Sequence, residues 1–213
     1  MTGTRTIYRP FFKTIARKMD LIREARSWLR TPFRDHCAMK GVGCDCVGFA
    51  HAVFVSVRAV NPIQFPSYAL DEGSHSNQSK LERVLIDSGS FIKIWNRSYA
   101  PTLSRSDAPT LDLPPLMHGD LLGFHLGRSV HHTGILLGAP HFIHALQNYG
   151  VIESTLNDST YRRALASVWR RMEKLERYND FTRTVVGRDA CRLGIAPSAP
   201  HPSLAIATPE ERP

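Results

Sequence analysis

The chain has 213 residues, a formal net charge of +8, and 42% hydrophobic and 22% charged residues, a balance that supports a full core and excludes a wholly disordered or fibrous chain. Apolar stretches such as Val53 to Val57, itself interrupted by Ser56, are far short of the roughly 20 residues a membrane-crossing helix needs, so no membrane insertion is expected. The positive charge favours acidic partners without choosing among nucleic acid, anionic lipid and anionic cell-wall polymer.

Residues 1–18 read as a basic arm, solvated or used for docking. Basic and apolar side chains alternate (Arg5, Arg9, Lys13, Arg17, Lys18) with no apolar h-region and no small-residue cleavage site, so no secretory signal is read. Asp20 predicts an N-cap for a helix to about Arg30, with Leu21, Ile22, Ala25, Trp28 and Leu29 at helical spacing, stopped by Thr31-Pro32. A loop, Phe33 to Asp45, follows. From Cys46 to about Val60 the apolar density rises, and Asp45 stands where an N-cap belongs. Val53, Val55 and Val57 also fit a strand, but length and cap decide for a buried helix starting at Cys46. A further helix is expected from Lys80 to Ile86, after the polar run Asp71 to Ser79, and Ser98 to Pro115 reads as a proline-rich surface loop.

Short apolar segments come next: Leu121 to Leu126, His132 to Leu137, Phe142 to Gln147, Val151 to Thr155 and Leu165 to Trp169. Gly127, Gly138-Ala139-Pro140 and Asn148-Tyr149-Gly150 punctuate them as hairpin turns, which predicts an antiparallel sheet. After Arg170 the pattern reads as charged and helical to about Asp180, and Ala196 to Pro213 as a disordered Pro-, Ala- and Ser-rich tail. The expected organisation is one catalytic domain over residues 19–170, with a C-terminal extension over 171–213.

Four cysteines make no disulfide scaffold in a chain this long, and Cys44 and Cys46 are badly placed to bridge each other. A cysteine in the first turn of a helix meets unpaired N–H groups and the positive end of the helix dipole, both of which favour the thiolate. Cys46 is thus a candidate nucleophile, against the alternative of an inert core cysteine. His132 and His144 fall in consecutive strand segments joined by the turn at Gly138 to Pro140, so a hairpin brings them side by side on one face, and one imidazole can orient the other. Each read singly is a satisfied half-buried histidine. His131, next to His132, must point to the opposite face. His36, Cys37, Cys44 and Cys46 include zinc-ligand types, but their spacing fits no usual zinc pattern and leaves His132 and His144 unexplained. No aromatic and basic platform supports nucleic-acid binding.

Gly43-Cys44-Asp45-Cys46-Val47-Gly48-Phe49 resembles the Asp-Cys-Ser-Gly-Leu nucleophile motif of the NlpC-type cell-wall cysteine peptidases. His132-Thr133-Gly134-Ile135 and Phe142-Ile143-His144-Ala145 are similar to that family's base and third-residue motifs. Ala25 to Phe33 is similar to its lead-in helix, and Met117 to Leu122 to the Pro-Gly-Asp-Leu segment that opens a strand. Lys40 to Cys46 resembles the branch found in phage tails and gene transfer agents.

The resemblance implies an α+β, papain-like fold in which N-terminal helices, with the nucleophile at a helix start, pack on an antiparallel sheet. It implies Cys46 as nucleophile, His132 as base, His144 as its orienting partner, and no metal or organic cofactor. The implied substrate is a peptidoglycan stem peptide, with Asp45 and Phe33 on the substrate side. Asp45 contacts a substrate amine or simply caps the helix. Phe33 stands where the family often has a tyrosine whose hydroxyl faces the site. Cytoplasmic synthesis and assembly into a phage-like particle, with tail proteins as partners, is the expected setting. The alternative is a structural tail component with weak or no turnover.

Overall fold

The computed structural model describes residues 7–63, 79–97, 111–125 and 129–175. The expectations for Asp71 to Gln78, for the proline-rich loop up to Thr110, and for the chain beyond Leu175 lie outside the described residues. The elements are β1 (Ile7–Pro10), a 3-10 turn (Phe11–Lys13), α1 (Ile15–Arg26), β2 (Ala38–Met39), β3 (Gly43–Cys44), α2 (Cys46–Ser56), α3 (Lys80–Asp87) and β4 (Phe91–Asn96). They continue with β5 (Leu121–His125), β6 (Val130–Gly138), β7 (His141–Leu146), β8 (Gly150–Thr155), α4 (Ser159–Ala164) and β9 (Leu165–Leu175). The fold is α+β. One antiparallel sheet runs β1-β9-β5-β6-β7-β8, with β4 also pairing β9, and β2 and β3 form a separate small hairpin.

Side chains alternate across the sheet, and this divides the core in two. Ile135, Leu137, Ile143 and Ala145 face α1 and α2, packing with Leu21, Trp28, Phe49, Val53 and Phe54. Leu136 and Phe142 face the other way, into a cluster with Leu122, Phe124, Leu165 and Val168, against which Tyr161 of α4 packs. By the same alternation His132 and Gly134 share the face of Leu136, and His144 shares the face of Phe142.

Four expectations are corrected. The first helix starts at Ile15, capped by Thr14, whose Oγ1 accepts from the Arg17 N–H at 3.3 Å. Asp20 lies inside it, on the exposed face, paired with Arg23 at 3.1 Å. The helix also ends at Arg26 rather than Arg30, because Arg30 turns to φ 69° and gives its N–H to Val151 O at 3.0 Å. Residues 7–18 are not a solvated arm: β1 pairs with β9 from Ile7↔Leu175 to Pro10↔Met172, Phe11 and Phe12 are buried, and Arg9 and Arg17 both hold Glu173, at 2.5 and 2.8 Å. The charged run after Arg170 continues β9 to Leu175 instead of forming a helix, since β4 pairs Arg170 and Arg171, β1 pairs Met172 to Leu175, and Arg9 and Arg17 hold Glu173. The folded unit therefore extends beyond residues 19–170 at both ends.

The turn before β5 is held by two neighbouring residues. Gly119 has φ 79°, and a Cβ there would run into the Phe12 ring. Asp120 is 1% exposed and accepts from Arg170 Nε and Nη2, both at 2.8 Å, and from the Met117 N–H at 2.7 Å. Removing the carboxylate strands the guanidinium that ties β9 to this turn. Asp120→Ala is expected to lower the unfolding free energy by about 3–5 kcal/mol. Asp20→Ala, on the exposed face of α1, should stay within about 0.5 kcal/mol. Urea denaturation of the two variants checks this, and equal losses would contradict the role given to Asp120.

Candidate active site

The loop ahead of α2 is pinned by backbone bonds. Arg34 N–H donates to Cys44 O at 2.9 Å and Cys44 N–H to Pro32 O at 3.0 Å, so Phe33 bridges Cys44 and its ring packs on the edge of the helical core. A phenyl ring supplies no hydrogen-bond donor there. Asp45 is 1% exposed: Oδ1 accepts from Gly48 N–H at 2.7 Å, and Oδ2 from His36 N–H at 2.8 Å. The carboxylate therefore caps α2 and closes the loop behind it.

Cys46 is the first residue of α2 and is 7% exposed. The β6–β7 ladder runs only from Gly138↔His141 to Ile135↔Ile143, and ahead of it the α2 N-terminus meets β6. The Cys46 thiol donates to His131 O at 3.8 Å. Burial pushes the thiol up to about 12, and the Asp45 charge adds to this, while the N–H groups of Thr133, Cys46 and Val47 pull it the other way. The sulfur thus lies against the backbone on both sides of His132. Beside Val47 and Thr133, an apolar cavity of about 210 Å³ opens between α2 and α3, walled by Ala50, Phe54, Leu81 and Leu85.

His132 and His144 are 6% and 0% exposed, and His132 Nε2 lies 2.7 Å from His144 Nδ1. Gly134 permits this approach, because a Cβ at that position would stand 2.8 Å from the Phe142 ring and 3.4 Å from the His144 Cβ. Aromatic rings box the pair: Phe124 against His132 at 5.8 Å between centroids, and Phe142 and Tyr161 against His144 at 5.0 and 5.3 Å. Burial is the main cause that lowers His132 to about 3, with His144 and His131 adding to it, and burial lowers His144 to about 4. Both imidazoles rest neutral. His131 is half-buried, with Nδ1 2.9 Å from Ser129 O.

Two neutral rings can share one hydrogen bond in only two directions. His144 Nε2 is 3.0 Å from Ser154 Oγ and 3.4 Å from the Tyr161 hydroxyl, and Ser154 Oγ donates to Tyr161 at 3.4 Å. With the Ser154 hydroxyl donating to Tyr161, its oxygen is left to accept from His144 Nε2–H, and His132 Nε2–H then donates to His144 Nδ1. His132 Nδ1 is then the basic nitrogen. Sequence reasoning missed Ser154 and Tyr161. A signal existed for Ser154, since the turn at Asn148 to Gly150 sets the register Phe142↔Ser154, diagonal to His144; Tyr161, in a short charged helix, offers none. The zinc set is not assembled: His36 pairs with Asp35 at 3.0 Å, and among the described residues no three His, Cys, Asp or Glu side chains gather to hold a metal. Among them, no helix is long and apolar enough to cross a membrane.

The family model for NlpC/P60 matches residues 30–170. No curated protein matches the chain. Among solved structures, the NlpC/p60 domain of the peptidoglycan hydrolase SagA is similar at 20% identity over 66% of this chain and 90% of that one, with a TM-score of 0.37. An NlpC/P60 family protein from Bacillus cereus matches at 23% identity over 71% and 39% of the two chains, TM-score 0.41. A lipoprotein-like NLP/P60 protein from Staphylococcus aureus matches at 19% over 76% and 43%, TM-score 0.47. The chain spans less than half the length of these last two. The family match takes in the loop and helix of Cys46 and the strands of His132 and His144, and the chain belongs to the NlpC/P60 family.

Proposed function

We propose that the protein is a cysteine peptidase of bacterial cell wall that hydrolyses an amide bond in the peptidoglycan stem peptide, next to D-glutamate and the diamino acid. The observation that carries this reading is the junction of α2 with β6: the Cys46 thiol lies against the backbone flanking a histidine whose far nitrogen is bound to a second buried histidine. Membership of a family of cysteine hydrolases of peptidoglycan supplies the substrate class.

In the proposed reaction, His132 Nδ1 takes the Cys46 proton and the sulfur attacks the amide carbonyl. The helix-start N–H groups that favour the thiolate include that of Cys46, which also serves the oxyanion. His132 returns the proton to the leaving amine, giving a thioester. Water, deprotonated by the same nitrogen, then releases the acid and the thiol. His144 holds the His132 ring throughout and accepts from its Nε2–H. Phe33, whose ring packs on the edge of the helical core, offers no polar contact to the site.

The likeness of Lys40 to Cys46 to the phage-tail branch supports cytoplasmic synthesis followed by incorporation into a phage-like particle, with tail proteins as partners. A second reading is favoured by the closed, neutral thiol and by Phe33: a tail component that keeps the fold without turnover.

Mass spectrometry of muropeptides separates the two readings. Incubation with the intact protein is expected to release fragments cut at one stem-peptide bond, and Cys46→Ala to release none. His132→Ala should fall by roughly 1000-fold or more, His144→Ala by less, and His131→Ala should stay near the intact protein. Muropeptides left whole by the intact protein would favour the silent tail component.

The neutral histidines also fix an acid response. Their folded values, about 3 and about 4, lie below the ordinary 6.5, so their contribution is fully present above pH 6.5 and is lost as pH falls toward the folded values. Between pH 6.5 and 4.5 the slope should approach about 1.4 kcal/mol per pH unit for each. Thermal unfolding across this window should show the melting temperature falling with pH, and the double variant His132→Gln, His144→Gln should flatten the fall. An unchanged slope in the double variant would contradict the neutral pair.

A further inference from the structure

We infer that Ser154 and Tyr161 are positioning residues for the histidine pair, holding the proton of His144 on Nε2 so that its Nδ1 lone pair faces His132. The inference rests on the proposed catalytic role of Cys46 and His132, and it extends that site beyond its three residues.

Ser154 and Tyr161 reach His144 from two separate elements. Ser154 sits on β8, two residues from Ile152, the partner of His144, with Oγ 3.0 Å from Nε2. Tyr161 sits on α4, its hydroxyl 3.4 Å from both Nε2 and Ser154 Oγ, and its ring meets the His144 ring edge-on at 88°. The same tyrosine ring packs at 84° on Phe142, so its direction is set by stacking as well as by the hydroxyl. The short helix that carries it is tied at both ends. Asp158 Oδ1 accepts from Thr160 N–H at 2.7 Å, and Arg97 donates to Arg163 O at 2.6 Å and to Arg162 O at 2.7 Å.

The consequence follows from proton counting. His144 is fully buried and neutral, so it carries one ring proton that must find an acceptor. Ser154 gives its own proton to Tyr161, so its oxygen accepts at Nε2, that proton is outside the pair, and Nδ1 is free to accept from His132 Nε2–H. Without the two hydroxyls, the proton on Nε2 loses its acceptor, and the other tautomer, with the proton on Nδ1, becomes competitive. His132 must then present its own lone pair at Nε2 and carry its proton on Nδ1, the nitrogen that has to accept from Cys46. The hydroxyl pair thereby selects the tautomer in which the base is a base.

The test uses nitrogen NMR of the two histidines together with muropeptide kinetics, in the full chain. In the unaltered protein, His144 is expected to be neutral with its proton on Nε2. The double variant Ser154→Ala, Tyr161→Phe, which keeps the phenyl ring stacked, should show the Nδ1–H form of His144. Its kcat should fall about 10- to 100-fold with KM within about twofold. Ser154→Thr restores a hydroxyl and should return both the nitrogen shifts and kcat. Unchanged nitrogen shifts and kcat in the double variant would overturn the inference, as would a fall in kcat that Ser154→Thr shares. If the unaltered protein cuts no muropeptide yet the double variant shifts the His144 proton, the substrate reading fails and the positioning role stands.

Discussion

A hydrogen bond between two buried imidazoles, His132 Nε2 to His144 Nδ1 at 2.7 Å, is the interaction on which the rest of the site depends. Neither ring can leave its nitrogens unpaired inside an aromatic box without a cost of about 1–3 kcal/mol for each lost partner. The surroundings are arranged around that demand. Gly134 withholds a side chain where the rings approach, Phe124, Phe142 and Tyr161 exclude water, and the last ring proton is passed to a serine on the next strand. His132 Nδ1 lies outside this line of bonds. The two histidines belong to the sheet face turned away from α1 and α2, whereas Cys46 reaches β6 from the helical side, its thiol on His131 O ahead of the ladder with β7.

That geometry sets two opposing tendencies on Cys46. Burial holds the sulfur as a thiol, while three N–H groups, two of them at the start of α2, favour the thiolate. With His132 held down to about 3, the resting pair carries no charge, and in the proposed reaction charge separation has to accompany attack of the sulfur on the carbonyl. Asp45 keeps the first turn of α2 in place by accepting from Gly48 and from His36. Its negative charge is used to anchor the helix start and works against ionisation of the neighbouring sulfur.

How much could be read beforehand depended on how local the determining contacts are. The start of α2 was legible because cap and helix are adjacent, Asp45 then Cys46. The meeting of His132 and His144 was legible because a short turn at Gly138 to Pro140 and the two-residue alternation of strands together fix which faces oppose. The arm was misread because β1 pairs with β9 across the whole folded unit, Ile7 with Leu175, and nothing near Ile7 announces its partner. Asp20 looked like a cap because its residue type favours one, but Thr14 lies ahead of it and Phe11 and Phe12 anchor that turn in the core. β4 escaped notice although Phe91-Ile92-Lys93-Ile94-Trp95 contains strand-forming residues, since its pairing with β9 is bulged between Lys93 and Trp95. Tyr161 reaches His144 only through the packing of α4 on the sheet, a contact that no spacing encodes.

The most direct measurement of the central claim, that Cys46 and His132 act as one unit, is the pH dependence of Cys46 alkylation by iodoacetamide, read by peptide mass spectrometry. In the intact protein, alkylation is expected well below the pH at which an isolated buried thiol would ionise, because His132 takes the proton as the sulfur attacks the reagent. His132→Ala should remove that reactivity near neutral pH and leave a single rise toward the alkaline range. Identical profiles for the two proteins would mean that the thiol does not exchange its proton with His132, and the account of the site would be wrong.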